Sequence, residues 1–185
     1  MVDRGWTKVF GIGLSRTGTT SLSHAFRILG FSAVHLPVNV KAIDEADFSD
    51  DLSVTMRFRW LDQKYPGSKF ILTTREKSEW LKNCREFFST KPFPKGPKTR
   101  RWTIYVHNRV YGCRWFDEEV FFDAWDRHEA YVRSYFRDRP GDLLIMNICA
   151  GDGWEKLCPF IGVDPPGVAF PHVWKIQQVR KMYSK

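Results

Sequence analysis

The chain has no apolar run that approaches a membrane span: the longest, such as Leu143–Met146, fall far below the ~20 residues a spanning helix needs. It has no C-x-x-C pair either. Its four cysteines, Cys84, Cys113, Cys149 and Cys158, stand apart from one another and from any histidine at metal-ligand spacing. That argues against a zinc site and a disulfide framework, and predicts reduced, mostly packed thiols. No internal repeat or low-complexity linker divides the sequence, which excludes a solenoid or a string of domains. The N-terminus, Met1-Val2-Asp3-Arg4-Gly5, runs directly into a strand-like segment and leaves no room for a secretory leader, so the expectation is a cytoplasmic protein. Acidic side chains are in deficit, 21 against 29 Lys and Arg, for a net charge of +8. An anionic partner is expected, and no nucleic-acid recognition motif accompanies the charge.

What is present is material for a core. Hydrophobic residues make up 43% of the 185, with eight Trp and fifteen Phe, enough apolar surface to offset the ordering entropy of one domain spanning residues 1–185. Residues 8–12 (KVFGI) read as a strand, and residues 19–29 place Leu22, Ala25, Phe26 and Leu29 at helical spacing before Gly30 stops the helix. Residues 31–36 read as a second strand, closed by Pro37, and residues 54–65 as a helix ended by Pro66-Gly67. The continuous apolar run of residues 69–74 (KFILTT) is the clearest buried strand, followed by a helix over 76–88. Residues 91–101 (KPFPKGPKTRR) carry five cations, three prolines, a glycine and no acid, the composition of a basic surface loop. A helix over 116–137, a strand over 142–148 and a helix over 154–161 complete the pattern, with a basic tail over 174–185. Strands alternating with helices predict an α/β fold, a central and mainly parallel sheet flanked by helices in three layers.

The chemistry concentrates in residues 11–21, GIGLSRTGTTS, which lie between the first strand and the first helix. From Gly13 the spacing is that of a phosphate-binding loop, G-x-x-x-x-G-K-[ST], with Thr19 where the lysine belongs. Anion binding survives that exchange. The backbone N–H groups of residues 15–20 and the positive end of the helix form a cradle, Thr17, Thr19, Thr20 and Ser21 add hydroxyls, and Arg16 supplies a cation ahead of Gly18. A triphosphatase would also need an aspartate at the end of an apolar strand to hold magnesium. The two most apolar strands end instead in Thr73-Thr74-Arg75 and Asn147-Ile148, and a strand-end arginine suits a second anion.

Residues 16–20, RTGTT, resemble the basic-hydroxyl-Gly-Thr-Thr segment of the sulfotransferases, which bind 3′-phosphoadenosine-5′-phosphosulfate (PAPS) on a P-loop fold without a metal. PGSKFILTTREKSEW (66–80) is similar to that family's second donor-binding element. Together with GDGWEKLCPFIG (151–162), these segments resemble the short bacterial-type branch of the superfamily over most of the chain. The resemblance implies that Arg16, Thr17, Gly18, Thr19, Thr20 and Ser21 contact the 5′-phosphosulfate and that Arg75 grips the 3′-phosphate. Asn83 stands where the family usually has a serine, and its amide can still donate to phosphate oxygens, which keeps it among the implied donor-binding residues. Family members use a His or Glu near the end of an early strand as base. His35 is the first candidate here and Asp51 its rival, although Ser53 replaces the proline of the D-x-P pattern common in relatives. The implied acceptor is a hydroxyl or amine of a small molecule or carbohydrate, with neither nucleic acid nor membrane as partner. Two other readings of the same residues stay open: a degenerate P-loop nucleotide kinase or NTPase, and a nucleotide-binding protein without turnover.

Overall fold

A computed structural model of the chain describes residues 5–89 and 97–173. Its elements are β1 (Val9–Gly11), α1 (Thr19–Ile28), β2 (Ala33–His35), α2 (Val40–Asp44), β3 (Phe48–Asp50), α3 (Leu52–Thr55) and α4 (Phe58–Lys64). There follow β4 (Lys69–Thr73), α5 (Lys77–Ser89), α6 (Pro97–Val110), α7 (Glu118–Tyr135), β5 (Leu143–Met146) and α8 (Trp154–Ile161). The five strands form one sheet in the order β2-β3-β1-β4-β5, and every pairing is parallel. This is the expected α/β architecture, with helices on both faces.

The alternation of side chains along each strand builds the two faces. Val9 and Ile71 join Leu22, Phe26, Leu157 and Ile161 in a core under α1 and α8. Phe10, Phe70 and Leu72 point the other way, onto Phe58, Leu61 and Val132 of α4 and α7. A third buried cluster, with Leu14, Trp80, Tyr111, Phe121 and Trp125, sits beyond the end of β1 and braces the loop that follows it. β1 is central, so the loop leaving it emerges at the middle of the sheet's C-terminal edge, where open α/β sheets bind ligands.

Three expectations need correction. The helix expected over 54–65 is two, α3 and α4, because Arg57 leaves helical geometry (φ −130°, ψ 16°) with no glycine or proline to announce it. The basic segment 91–101 is not all loop: α6 begins at Pro97, a residue suited to a first helical turn, while residues 90–96 and the tail 174–185 lie outside the described residues. Finally, the sheet has a strand that the apolar pattern does not reveal. β3 is only Phe-Ser-Asp, yet it lies between β1 and β2 and ends in a carboxylate.

Candidate active site

The loop between β1 and α1 is held by its carbonyls. His128 Nε2 donates to the carbonyl of Ile12 (2.8 Å) and Thr55 Oγ1 to that of Gly13 (2.9 Å). Thr17 Oγ1 donates to the carbonyl of Leu14 (2.6 Å) and Trp80 Nε1 to that of Ser15 (2.8 Å). Four successive carbonyls, the groups whose partial negative charge would repel an anion, are thus each bound by a side-chain donor. Thr17 is fully buried and also pairs with Thr73 (2.7 Å), and its N–H turns back onto the Leu14 carbonyl, so Thr17, expected to contact the phosphosulfate, is a brace of the loop and does not line the pocket.

Gly18 caps α1 in left-handed geometry (φ 104°) and gives no side chain to the helix's first N–H groups. A Cβ there would lie 3.1 Å from Ile148 Cβ in a backbone conformation that L-residues resist, so the position is glycine's. The open helix end meets a pocket lined by Arg16, Thr19, Thr20, Ser21, Arg75 and Cys149. The structure therefore brings together most of the residues expected at a phosphosulfate site. The Ser21 hydroxyl accepts from the N–H of Val173, which brings the segment after α8 back to the pocket's edge.

Arg16 is held rather than neutralised. Its Nε donates to Asn83 Oδ1 (2.7 Å) and its guanidinium lies 4.4 Å from the Phe87 ring centre, both uncharged partners on α5. Burial pulls its pKa below the ordinary arginine value; the Cys84 thiol opposes that and Arg75 adds to it. Two cations in one desolvated pocket raise each other's energy until an anion arrives. Asn83, expected to donate to a phosphate, here accepts from Arg16, which leaves its amide N–H groups for other partners.

The second constellation joins the ends of β2 and β3. His35 Nδ1 stands 2.7 Å from Asp50 Oδ1, and its Nε2 stands 3.1 Å from Asp51 Oδ2. Burial alone would lower the His35 pKa, but Asp50 and Asp51 outweigh it and raise the group well above the usual imidazole value. Burial lifts the fully buried Asp50 carboxyl to about 6, with His35 pulling the other way. Asp51, where burial is outweighed by His35 and the Leu52 N–H, lies below the ordinary carboxylate value. Asp51 also has φ 79° and ψ 178°, a region essentially reserved for glycine that costs about 1–3 kcal/mol. The carboxylate absent from the ends of the two most apolar strands is thus present on β3, where it is engaged by His35. Among the described residues, no group of three or more His, Cys, Asp or Glu is arranged to hold a metal ion.

A histidine raised in the folded state stabilises fully below its unfolded pKa of about 6.5, and the gain fades as pH rises through the folded value. The stability difference between wild type and His35→Gln is therefore expected to be largest below pH ~6.5 and to shrink at higher pH. Urea unfolding at a series of pH values measures it; a difference that grows with pH would contradict the assignment.

Other histidines and aromatic residues lie elsewhere. His128 is a loop brace, as above, and Trp154 is a core anchor whose Nε1 donates to the Val168 carbonyl (2.8 Å). His107 packs against Phe88 and Tyr111, and His172 against Phe170. The aromatic stretch 102–125 is divided: Tyr111, Phe121 and Trp125 are buried under the loop, while Tyr105, Trp115 and Phe122 are exposed. Sequence reasoning missed Asp50, Thr55, Trp80 and Tyr111, of which the last accepts from the Ser15 N–H (3.1 Å). No helix among the described residues is long and apolar enough to cross a membrane.

Comparison with known proteins bears on the fold and the family. The chain is similar to a crystallised sulfotransferase from Alicyclobacillus acidocaldarius at a TM-score of 0.59, over 95% of this chain and 89% of the other, with 11% identity; that likeness concerns the fold. It is 25% identical over 214 residues to Ava biosynthesis cluster protein M of Aspergillus versicolor, covering 90% of this chain and 80% of that protein. A family model described as a sulfotransferase domain matches residues 8–42 and 39–179. With the glycine loop, the paired arginines and nearly the whole chain inside that match, the protein belongs to the sulfotransferase domain family.

Proposed function

We propose that the chain transfers a sulfuryl group from PAPS to a hydroxyl or amine of a small molecule or carbohydrate, in line and without a metal ion. The observation that carries this reading is the convergence of Arg16, Arg75 and the open N-terminus of α1 on one pocket. The donor is a co-substrate with two anionic ends, and the residues present suit it. Arg16, the main-chain N–H groups at the start of α1 and the hydroxyls of Thr19, Thr20 and Ser21 take the 5′-phosphosulfate, the Ser15 and Thr17 N–H groups being bonded within the protein; Arg75 takes the 3′-phosphate. In-line transfer of this kind draws its acceleration from positioning and charge stabilisation, by analogy with phosphoryl transfer. Arg16 and the helix end then stabilise the charge that develops on the leaving phosphate. A small-molecule acceptor is supported by the similar Aspergillus protein, which is named for a biosynthesis cluster.

Titration with adenosine 3′,5′-bisphosphate, ATP with Mg²⁺ and ATP with EDTA tests the reading. The bisphosphate is expected to bind at least about tenfold more tightly than either form of ATP, with no loss in EDTA. Tightest binding of ATP with Mg²⁺ would point instead to a nucleotide kinase or NTPase. Tight bisphosphate binding without transfer to any of a broad acceptor panel would point to a binding protein without turnover. In Arg75→Ala, affinity for the bisphosphate should fall about ten- to hundredfold while that for adenosine 5′-monophosphate stays within about twofold, since charge-assisted bonds contribute ~1.5–3 kcal/mol. Equal losses for both ligands would remove Arg75 from the 3′-phosphate.

A further inference from the structure

The His35 ring spends both nitrogens on carboxylates, Nδ1 at 2.7 Å from Asp50 and Nε2 at 3.1 Å from Asp51. An ionised carboxylate only accepts, so both contacts need a ring N–H and the histidine keeps no lone pair for a substrate proton. Of the three groups, Asp50 is fully buried and its Oδ2 has no partner among the described residues, whereas the side chains of His35 and Asp51 keep 13% and 15% of their surface open. Asp51 Oδ1 accepts from the Leu52 N–H (2.6 Å) and Oδ2 faces His35, which leaves each oxygen a second lone pair. Asp51 is also the residue whose backbone is forced to φ 79° at the C-terminal edge of the sheet, beside the loop that α3 grips through Thr55 and Gly13. Gly11 makes room for Asp50: a Cβ at that position would lie 2.7 Å from Asp50 Cβ.

We propose that Asp51 takes the acceptor's proton, and that Asp50 is a positioning residue that fixes Asp51 through the His35 ring. The step rests on the sulfuryl-transfer reading. The acceptor's O–H or N–H bond breaks and its proton moves to an Asp51 oxygen, while the freed electron pair forms the bond to sulfur. The bond between sulfur and the 5′-phosphate oxygen breaks, and its electrons leave on adenosine 3′,5′-bisphosphate. His35 stays an imidazolium throughout and orients the Asp51 carboxylate, the reverse of a Ser-His-Asp arrangement, in which a carboxylate orients the imidazole. The charged and titratable groups bearing on the pair are His24 and Arg27 of α1 on the His35–Asp50 side, and Arg16, His107 and Tyr111 on the Asp51 side.

Asp50→Asn and Asp51→Asn preserve shape and remove charge, so each is measured three ways. In ¹⁵N spectra without ligand, wild-type His35 is expected to keep both ring N–H groups to a higher pH than a free imidazole does, and in Asp50→Asn to lose one of them at a lower pH than in wild type. With PAPS and 2-naphthol as probe acceptor, and with release of bisphosphate to water as a second readout, Asp51→Asn should lower kcat about a hundredfold or more. Asp50→Asn should lower it about tenfold or more, with the donor KM within about twofold of wild type in both. Turnover of Asp51→Asn near wild type overturns the proton acceptor. Turnover of Asp50→Asn near wild type, or a wild-type His35 that becomes neutral at no higher pH than a free imidazole, overturns the positioning role. Failure of the wild type to bind adenosine 3′,5′-bisphosphate would sink the sulfotransferase reading instead, and leaves the ¹⁵N result to decide the His35 geometry.

Discussion

Arg16→Ala is expected to lower sulfuryl transfer by about 10²–10³-fold, the loss of roughly 3 kcal/mol seen when one preorganised charge-stabilising donor is removed. The size follows from where the guanidinium sits. It shares a desolvated pocket with Arg75 and the open end of α1, and its own partners, Asn83 and Phe87, are neutral. Its charge is therefore available to the leaving phosphate: among the described residues no carboxylate is hydrogen-bonded to it, and Asp51 acts on it only at longer range. Arg16→Lys is expected to fall between the two, since an ammonium keeps the charge but gives up the Nε bond to Asn83 and the planar face on Phe87. Steady-state kinetics with PAPS, alongside thermal unfolding, checks both. A loss in Arg16→Ala smaller than about fivefold with normal folding would mean that the leaving group's charge is met elsewhere.

Gly13→Ala is expected to destabilise the protein by about 3 kcal/mol or more and to abolish bisphosphate binding. A Cβ at Gly13 would lie 2.6 Å from the Thr73 carbonyl and 2.7 Å from Thr17 Oγ1, and closer still to the Thr73 hydroxyl. The first of these is backbone of β4, which cannot rotate away. Both hydroxyls belong to the buried Thr17–Thr73 pair that holds the loop against the neighbouring strand. The substitution must either open β1 from β4 or expel that pair, and either route undoes the cradle. Gly141→Ala, with nothing within 4 Å of the added carbon, is the control and should stay within about 1 kcal/mol of wild type. Denaturant unfolding with the bisphosphate absent and present decides it; a Gly13→Ala protein of wild-type stability would show that the loop can retreat from β4.

The parts of this architecture that local chemistry announces were readable from sequence. β1, α1, β4, β5 and α8 carry their own signals, in apolar runs, helical spacing and terminal glycines such as Gly30 and Gly162. β3 carries none. Phe48-Ser49-Asp50 has one apolar residue, and it is a strand because its backbone pairs with β1 on one side and β2 on the other. With β3 unseen, Asp51 could be nominated only alongside His35 as a rival; the contact that joins them to Asp50 spans 15 residues and depends on strand register. The loop shows the same division. RTGTT is visible as a motif, but three of the four donors that hold its carbonyls, Thr55, Trp80 and His128, come from α3, α5 and α7. Asn83 was legible as a departure from the family's serine, and its bond to Arg16 gives that departure a physical content: it places the cation.

The most direct test of the account is transfer from ³⁵S-labelled PAPS in EDTA, wild type against Arg16→Ala, with a panel of phenols, alcohols, sugars and amines as acceptors. The account predicts metal-independent formation of a labelled product and an equal amount of adenosine 3′,5′-bisphosphate, reduced about a hundredfold or more in Arg16→Ala. Release of label by the wild type no faster than by Arg16→Ala or by buffer alone, across the whole panel, would contradict it.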